Sequence, residues 1–100
     1  FRTENEDDYV GYAPKGDPEK IEFYVTKPYN KEPATSGNGT MISLAADSLA
    51  ALDDFHVAAL SNGGSDEGKP GPRPADADIC YAYARDPDGN KICACCDKPA

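Results

Sequence analysis

No stretch of this 100-residue chain approaches the about 18 consecutive apolar residues of a membrane-crossing helix, so no span is expected. No basic-then-apolar leader is read at its start, which makes the cytoplasm the expected location. Basic residues are scarce: ten Lys plus Arg stand against eighteen Asp plus Glu. The resulting net charge of -8 repels phosphate backbones and anionic lipid, so neither nucleic acid nor membrane is an expected partner. No second Cys-x-x-Cys pair accompanies Cys93 and Cys96, so the usual paired zinc spacing is lacking too. The cysteines do not form a disulfide framework either, because Cys93, Cys95 and Cys96 crowd the C-terminus while Cys80 stands alone upstream. Reduced thiols in a reducing compartment fit that distribution.

What is present describes one small soluble domain spanning residues 1–100. A chain of this length buries roughly 65% of its unfolded surface and has no material for a second core. Arg2 to Asp8 are polar and acidic, and read as a loop or a frayed strand. Tyr9 to Tyr12 and Ile21 to Thr26 carry the aromatic and β-branched residues of strands. Lys27 to Gly39, rich in Pro, Asn, Gly and Ser, is a connecting loop and a junction between two halves, 1–38 and 39–100. Thr40 to Ala45 predicts a third strand. Asp47 or Ser48 then caps a helix whose Leu49, Leu52, Phe55, Ala59 and Leu60 recur at helical spacing, and Gly63 ends it. Gly63 to Pro74 is too rich in Gly and Pro for regular structure and predicts an extended loop. Ile79 to Arg85 and Lys91 to Cys96 predict an antiparallel hairpin around DPDGN, where Pro87 presets one turn dihedral and Gly89 tolerates a positive one.

Four blocks then carry a resemblance: the strand GTMISLAA from Gly39, the helix DDFHVAALSNGG, the loop DEGKPGPR and the ending YAYARDPDGNKI. In this order and spacing they resemble the glyoxalase, bleomycin-resistance and extradiol-dioxygenase proteins of the vicinal-oxygen-chelate superfamily, with a lactoylglutathione-lyase-like stamp. The resemblance implies an α+β fold of paired βαβββ modules forming a cupped mixed sheet around a site. Thr40 to Cys96 matches a complete second module. Tyr9 to Thr26 matches only the last strands of the first, whose opening strand and helix are lacking here. A truncated N-terminus is expected in preference to a natural deletion, since losing that strand leaves an unpaired sheet edge and an uncovered apolar face. The family also implies a small-molecule ligand and a homodimer.

Metal-using members of this group place His or Glu at four strand positions, where the metal polarises vicinal oxygens of the substrate. The first position falls before Phe1, so a divalent metal enters only if that segment supplies ligands. The second falls near Glu22, a weak candidate ligand against its reading as a solvent-facing carboxylate on an alternating strand. The third, usually His, is Met41, and the fourth, usually Glu, is Cys93. Both departures replace a hard donor by soft sulfur, so a nickel, magnesium or manganese site of the usual kind is not expected. Cys95 shares a strand face with Cys93, which leaves a soft-metal thiolate site standing beside the reading of reduced, pocket-lining cysteines. Cys80 and Cys96 lie nearly opposite in the hairpin and would pair only under oxidation.

His56, the one histidine, is read as a helix-packing or surface residue. Asp86, Asp88 and Asn90 match the start of a calcium loop, but Lys91 occupies the position that needs Gly, so the turn reading is kept. Tyr81 and Tyr83 alternate on one strand face and Arg73 closes the long loop. A tyrosine wall with one guanidinium would orient a small anionic or carbonyl ligand, against the reading of ordinary strand residues in a small core. The pocket candidates are therefore Glu22, Met41, Arg73, Tyr83 and Cys93. The first functional hypothesis is a glyoxalase-family enzyme, a lyase or isomerase acting on a small oxygenated molecule. The alternative is a metal-free protein that binds or sequesters a small molecule, as drug-resistance relatives do. A third is one subunit's half of a shared site.

Overall fold

Aromatic and β-branched residues make the strands of the N-terminal segment, and their rings meet across the sheet they form. In the computed structural model, which describes residues 2–5 and 7–97, β1 (Arg2–Asn5), β2 (Tyr9–Tyr12) and β3 (Phe23–Thr26) lie antiparallel in the order β1-β2-β3. Tyr9 meets Tyr24 edge-on at 5.8 Å between ring centroids, and Tyr12 meets Phe23 at 6.1 Å. Such pairs across strands add to the backbone ladder. Where a loop or frayed strand is expected before Asp8, β1 pairs as an edge strand with a register irregularity between Arg2 and Glu4. The third strand begins at Phe23 instead of Ile21, although the Glu22 amide still donates to the Tyr12 carbonyl at 3.0 Å. These strands belong to one unit, Phe1–Ala34, and the rest of the chain to another, Thr35–Ala100.

The second unit runs β4 (Met41–Ala45), α1 (Leu49–Ser61), β5 (Ser65–Pro72), β6 (Ile79–Arg85) and β7 (Lys91–Asp97), a βαβββ sequence. Its sheet has the order β4-β7-β6-β5, with β4 parallel to β7 and the other neighbours antiparallel. The chain is thus of the α+β class. Ser48 caps the helix: its backbone is extended, and its hydroxyl accepts the Ala51 N–H at 3.0 Å. Asn62 and Gly63, the latter at φ +92, end it, with the Gly64 N–H returning to Ala59 O. The hairpin turn is organised by Asp86, whose carboxylate accepts from the Asp88 and Asn90 amides and from Asn90 Nδ2. No helix among the described residues is long and apolar enough to cross a membrane.

The expected loop over Gly63 to Pro74 is largely a strand. β5 pairs antiparallel with β6 through Ser65↔Arg85, Gly68↔Tyr83 and Pro72↔Cys80, with register shifts on either side of Gly68. It lies at the edge of the sheet, where only one side must be hydrogen-bonded, and the shifts absorb residues that a central strand would not tolerate. Prolines and glycines that argue against a central strand do not argue against this one.

The core is a thin layer of small side chains. Leu52 (1% exposed) packs with Cys80, Ala82, Ala94 and Cys96, and half-buried Ala46 and Phe55 border them. Alanines and thiols on the sheet let the helix approach closely. The helix rests on β5, β6 and β7, and among the described residues makes no such contact with β4. Leu49 and Leu60, expected on the buried stripe, are therefore exposed at its two ends. His56 completes the helix face, as the packing reading expected: it is buried, and its Nε2 donates to Asp66 Oδ1 at 2.9 Å.

Two outcomes follow. Leu52→Ala deletes the one large side chain of this layer, and chemical denaturation is expected to show a loss of about 2–5 kcal/mol. The Asp66 carboxyl is held below its ordinary 3.8, first by the His56 hydrogen bond and then by the Gly68 amide. A depressed carboxyl binds its proton less readily folded than unfolded, so its stabilisation is complete above 3.8 and is lost as pH falls through the lowered value. Acid titration of stability should show a limb below 3.8 that Asp66→Asn flattens.

Candidate functional site

The strand register sorts the second unit's sheet into two faces. With Ala82, Ala94, Cys80 and Cys96 turned to the helix, alternation turns their odd-numbered neighbours to the other side. There the pairing lays out three rows across β4, β7 and β6: Met41, Lys91 and Arg85; then Ser43, Cys93 and Tyr83; then Ala45, Cys95 and Tyr81. Met41, Tyr83 and Cys93, reached from sequence, thus share one face. Ser43 and Lys91 were not reached, although Ser43 stands two residues after Met41 on the same strand. Naming Lys91 needs the register between β4, β7 and β6, which no single strand reveals.

Tyr81 and Tyr83 stack with their centroids 5.9 Å apart and their planes inclined by 13°. Lys91 Nζ lies 5.3 Å from the Tyr83 centroid and the Arg73 guanidinium carbon 6.0 Å from it, so the ring has two cations about it. Arg73 is held in that attitude by β5. Its Nη2 donates to Lys69 O at 2.8 Å and its Nη1 to Pro72 O at 3.3 Å, folding the side chain back over the strand that precedes it. Two glycines leave the room. A Cβ on Gly68 would stand 2.9 Å from Tyr83 Cδ2 and 3.3 Å from Arg73 Nη2, and one on Gly71 would stand 3.2 Å from Arg73 Nη1. These glycines read in the sequence only as loop composition. They are positions where the chain passes close beneath a guanidinium.

The thiols divide between the faces. Cys93 is 0% exposed. Ser43 Oγ donates to its sulfur at 3.5 Å and lies 3.8 Å from Cys95 Sγ. Cys80 and Cys96 pair directly across the hairpin on the helix side, both free and buried. Burial, and after it the neighbouring Cys80, raises the Cys96 thiol above 9.0, so it stays protonated and unreactive at neutral pH. Burial likewise lifts the Tyr83 phenol above 10.0, with the adjacent Cys93 next in effect. Tyr83 therefore offers a neutral hydroxyl to a ligand at physiological pH.

For a hard divalent metal, the thioether of Met41 and the thiol of Cys93 are poor donors. Met41 and Cys93, at the two strand positions where the resemblance implies hard donors, lie in different rows, with Lys91 and Ser43 as their respective partners. Among the described residues no three of His, Cys, Asp and Glu stand together as a metal group. Glu22 is exposed and belongs to the other unit, at Phe1–Ala34. The structure brings Met41, Tyr83 and Cys93 onto one face with Arg73 over the ring, and Glu22 lies outside the unit that carries them.

A crystal structure of a glyoxalase/bleomycin resistance protein from Albidiferax ferrireducens T118 is similar to this chain. The two are 40% identical with a TM-score of 0.76, over 93% of this chain and 72% of that one. No family model matches the chain, and no curated protein does.

Titration of the Tyr83 ring by NMR should show its phenol ionising above 10.0, a transition that is lost in Tyr83→Phe. Gly68→Ala should shift the Tyr83 ring resonances, because the added methyl meets the Tyr83 ring itself.

Proposed function

The chain belongs to the glyoxalase/bleomycin resistance protein family, and we propose that within it this protein binds a small oxygenated molecule without the family's divalent metal, as a sequestering protein does. The observation that carries the reading is the stacked pair Tyr81 and Tyr83 with Lys91 and Arg73 about the second ring. A flat tyrosine surface accepts a planar or unsaturated portion of a ligand, the neutral Tyr83 hydroxyl donates to a carbonyl, and the cations favour a partial or full negative charge on oxygen. Two cations stand at this ligand face although the whole chain carries a net charge of -8.

Sulfur at Met41 and Cys93 supports the metal-free form of the reading. A lactoylglutathione-lyase-like reaction needs a Lewis acid to polarise vicinal oxygens, and thioether and thiol are poor partners for the hard ions that do this. The same proposal treats the two units as one domain of the family type and puts the protein in the cytoplasm, where its four free cysteines stay reduced.

Metal analysis of purified protein combined with calorimetry on a bleomycin-type glycopeptide tests the proposal. Saturable binding by metal-free protein is expected, with Tyr83→Ala weakening it by roughly tenfold, the scale of one well-placed aromatic contact. A stoichiometric nickel, zinc, iron or manganese ion, together with turnover of a hemithioacetal, would instead establish the lyase reading.

A further inference from the structure

The sheet face that bears the tyrosines ends in a row of different character. Beyond Tyr83 and Cys93 the next row is Met41, Lys91 and Arg85, and the segment 36–40 passes beside it. Together these line a groove of about 490 Å³ formed by residues 36–41, Arg85 and Lys91. The segment is seated on the β6–β7 turn: a Cβ on Gly89 would stand 3.4 Å from that of Ser36. Its sequence, Ser-Gly-Asn-Gly-Thr, combines two hydroxyls, a carboxamide and two glycines, whose amides approach a ligand without a side chain in the way.

The groove's charge is unlike that of the chain around it. Eighteen of the 100 residues are acidic, yet no carboxylate lines it and two cations do. Arg85 is fixed at its inner wall: Nε donates to Glu67 and Nη1 to the Gly89 carbonyl at 2.8 Å. That leaves the Nη2 end of the fork without a protein acceptor among the described residues. Glu67 offsets the Arg85 charge, so the net positive charge of the groove comes from Lys91. Among the described residues Lys91 makes no ion pair, and its ammonium lies over the Tyr83 ring, 5.3 Å from its centroid. Hydroxyl and amide donors, a guanidinium fixed by two bonds and an unpaired ammonium, with no carboxylate in the lining, are groups that bind a small oxyanion.

We infer that this groove is a binding site for an oxyanion, a carboxylate or a phosphate, held by Lys91, Arg85 and the donors of Ser36 to Thr40. The groove shares Lys91 with the tyrosine face, but holding the anion needs neither Tyr81 nor Tyr83, so the inference does not rest on that face binding a ligand.

The test uses the full chain, isotopically labelled, titrated separately with inorganic phosphate and with acetate at constant pH and ionic strength, following the backbone amides by NMR. Saturable movement of the Gly37, Asn38 and Gly39 amides is expected with at least one of the two anions. Saturation with phosphate alone assigns a phosphate ligand, with acetate alone a carboxylate, and with both a general oxyanion site. Lys91→Gln should weaken the effect by roughly tenfold, as loss of a charge-assisted contact does. Thr40→Val, whose hydroxyl lies on the exposed segment, should weaken it less while leaving the rest of the spectrum in place. Linear drift without saturation in both titrations, or saturation unaltered by either variant, would overturn the inference. Tyr83→Ala separates it from the preceding proposal, since the groove amides should still respond in a protein that has lost binding at the tyrosine face.

Discussion

β7 is held on both sides, antiparallel to β6 and parallel to β4, and everything functional in the larger unit depends on the register of those two pairings. Strand side chains alternate, so a slip of one residue on either side would exchange the faces of the sheet. Cys96 and Ala94 would leave Leu52, and Cys93 would leave Ser43. The burial of small residues on one side and the assembly of tyrosines and cations on the other are therefore a single fact about pairing. The turn at DPDGN helps to set it, because Asp86 accepts three hydrogen bonds and permits little variation in how β6 returns as β7.

The two faces make opposite demands on side-chain volume. On the helix side, alanine and cysteine leave a flat surface on which Leu52, Phe55 and His56 rest, so the core contains few large groups. On the other side the large residues Tyr81, Arg73 and Lys91 gather about Tyr83, and the backbone gives way instead. Gly68 and Gly71 in β5 are where it does so, and the register shifts around Gly68 are the geometric result. A strand that bends around an arginine costs ladder regularity, which an edge strand can spare.

Much of this is legible in the residues. The helix and its Ser48 cap, the strands at Tyr9–Tyr12 and Met41–Ala45, and the hairpin all follow from propensity, capping and turn chemistry, because each is governed by local interactions. β5 is not legible, since its composition is that of a loop and only pairing with β6 makes it a strand. β1 is ambiguous for a related reason: an edge strand needs no apolar face. For the site, alternation along β6 and β7 points to Tyr83 and Cys93, but the meeting of Ser43 with Cys93 and of Lys91 with Tyr83 is tertiary. The resemblance of four sequence blocks to the glyoxalase group extends to the whole βαβββ arrangement, and the 40% identity to a solved member places the chain in that family. At Met41 and Cys93 sulfur stands where the resemblance implies hard donors.

What the protein presents to a ligand thus rests on which residues share a face, and this is open to direct observation. Nuclear Overhauser contacts from the Tyr83 ring protons in the labelled chain are expected to reach the Lys91 side chain and the Tyr81 ring, in keeping with separations of 5.3 Å and 5.9 Å. Contacts from the Tyr83 ring to the Leu52 methyl groups, in place of those to Lys91, would put the tyrosine on the helix side and contradict the account.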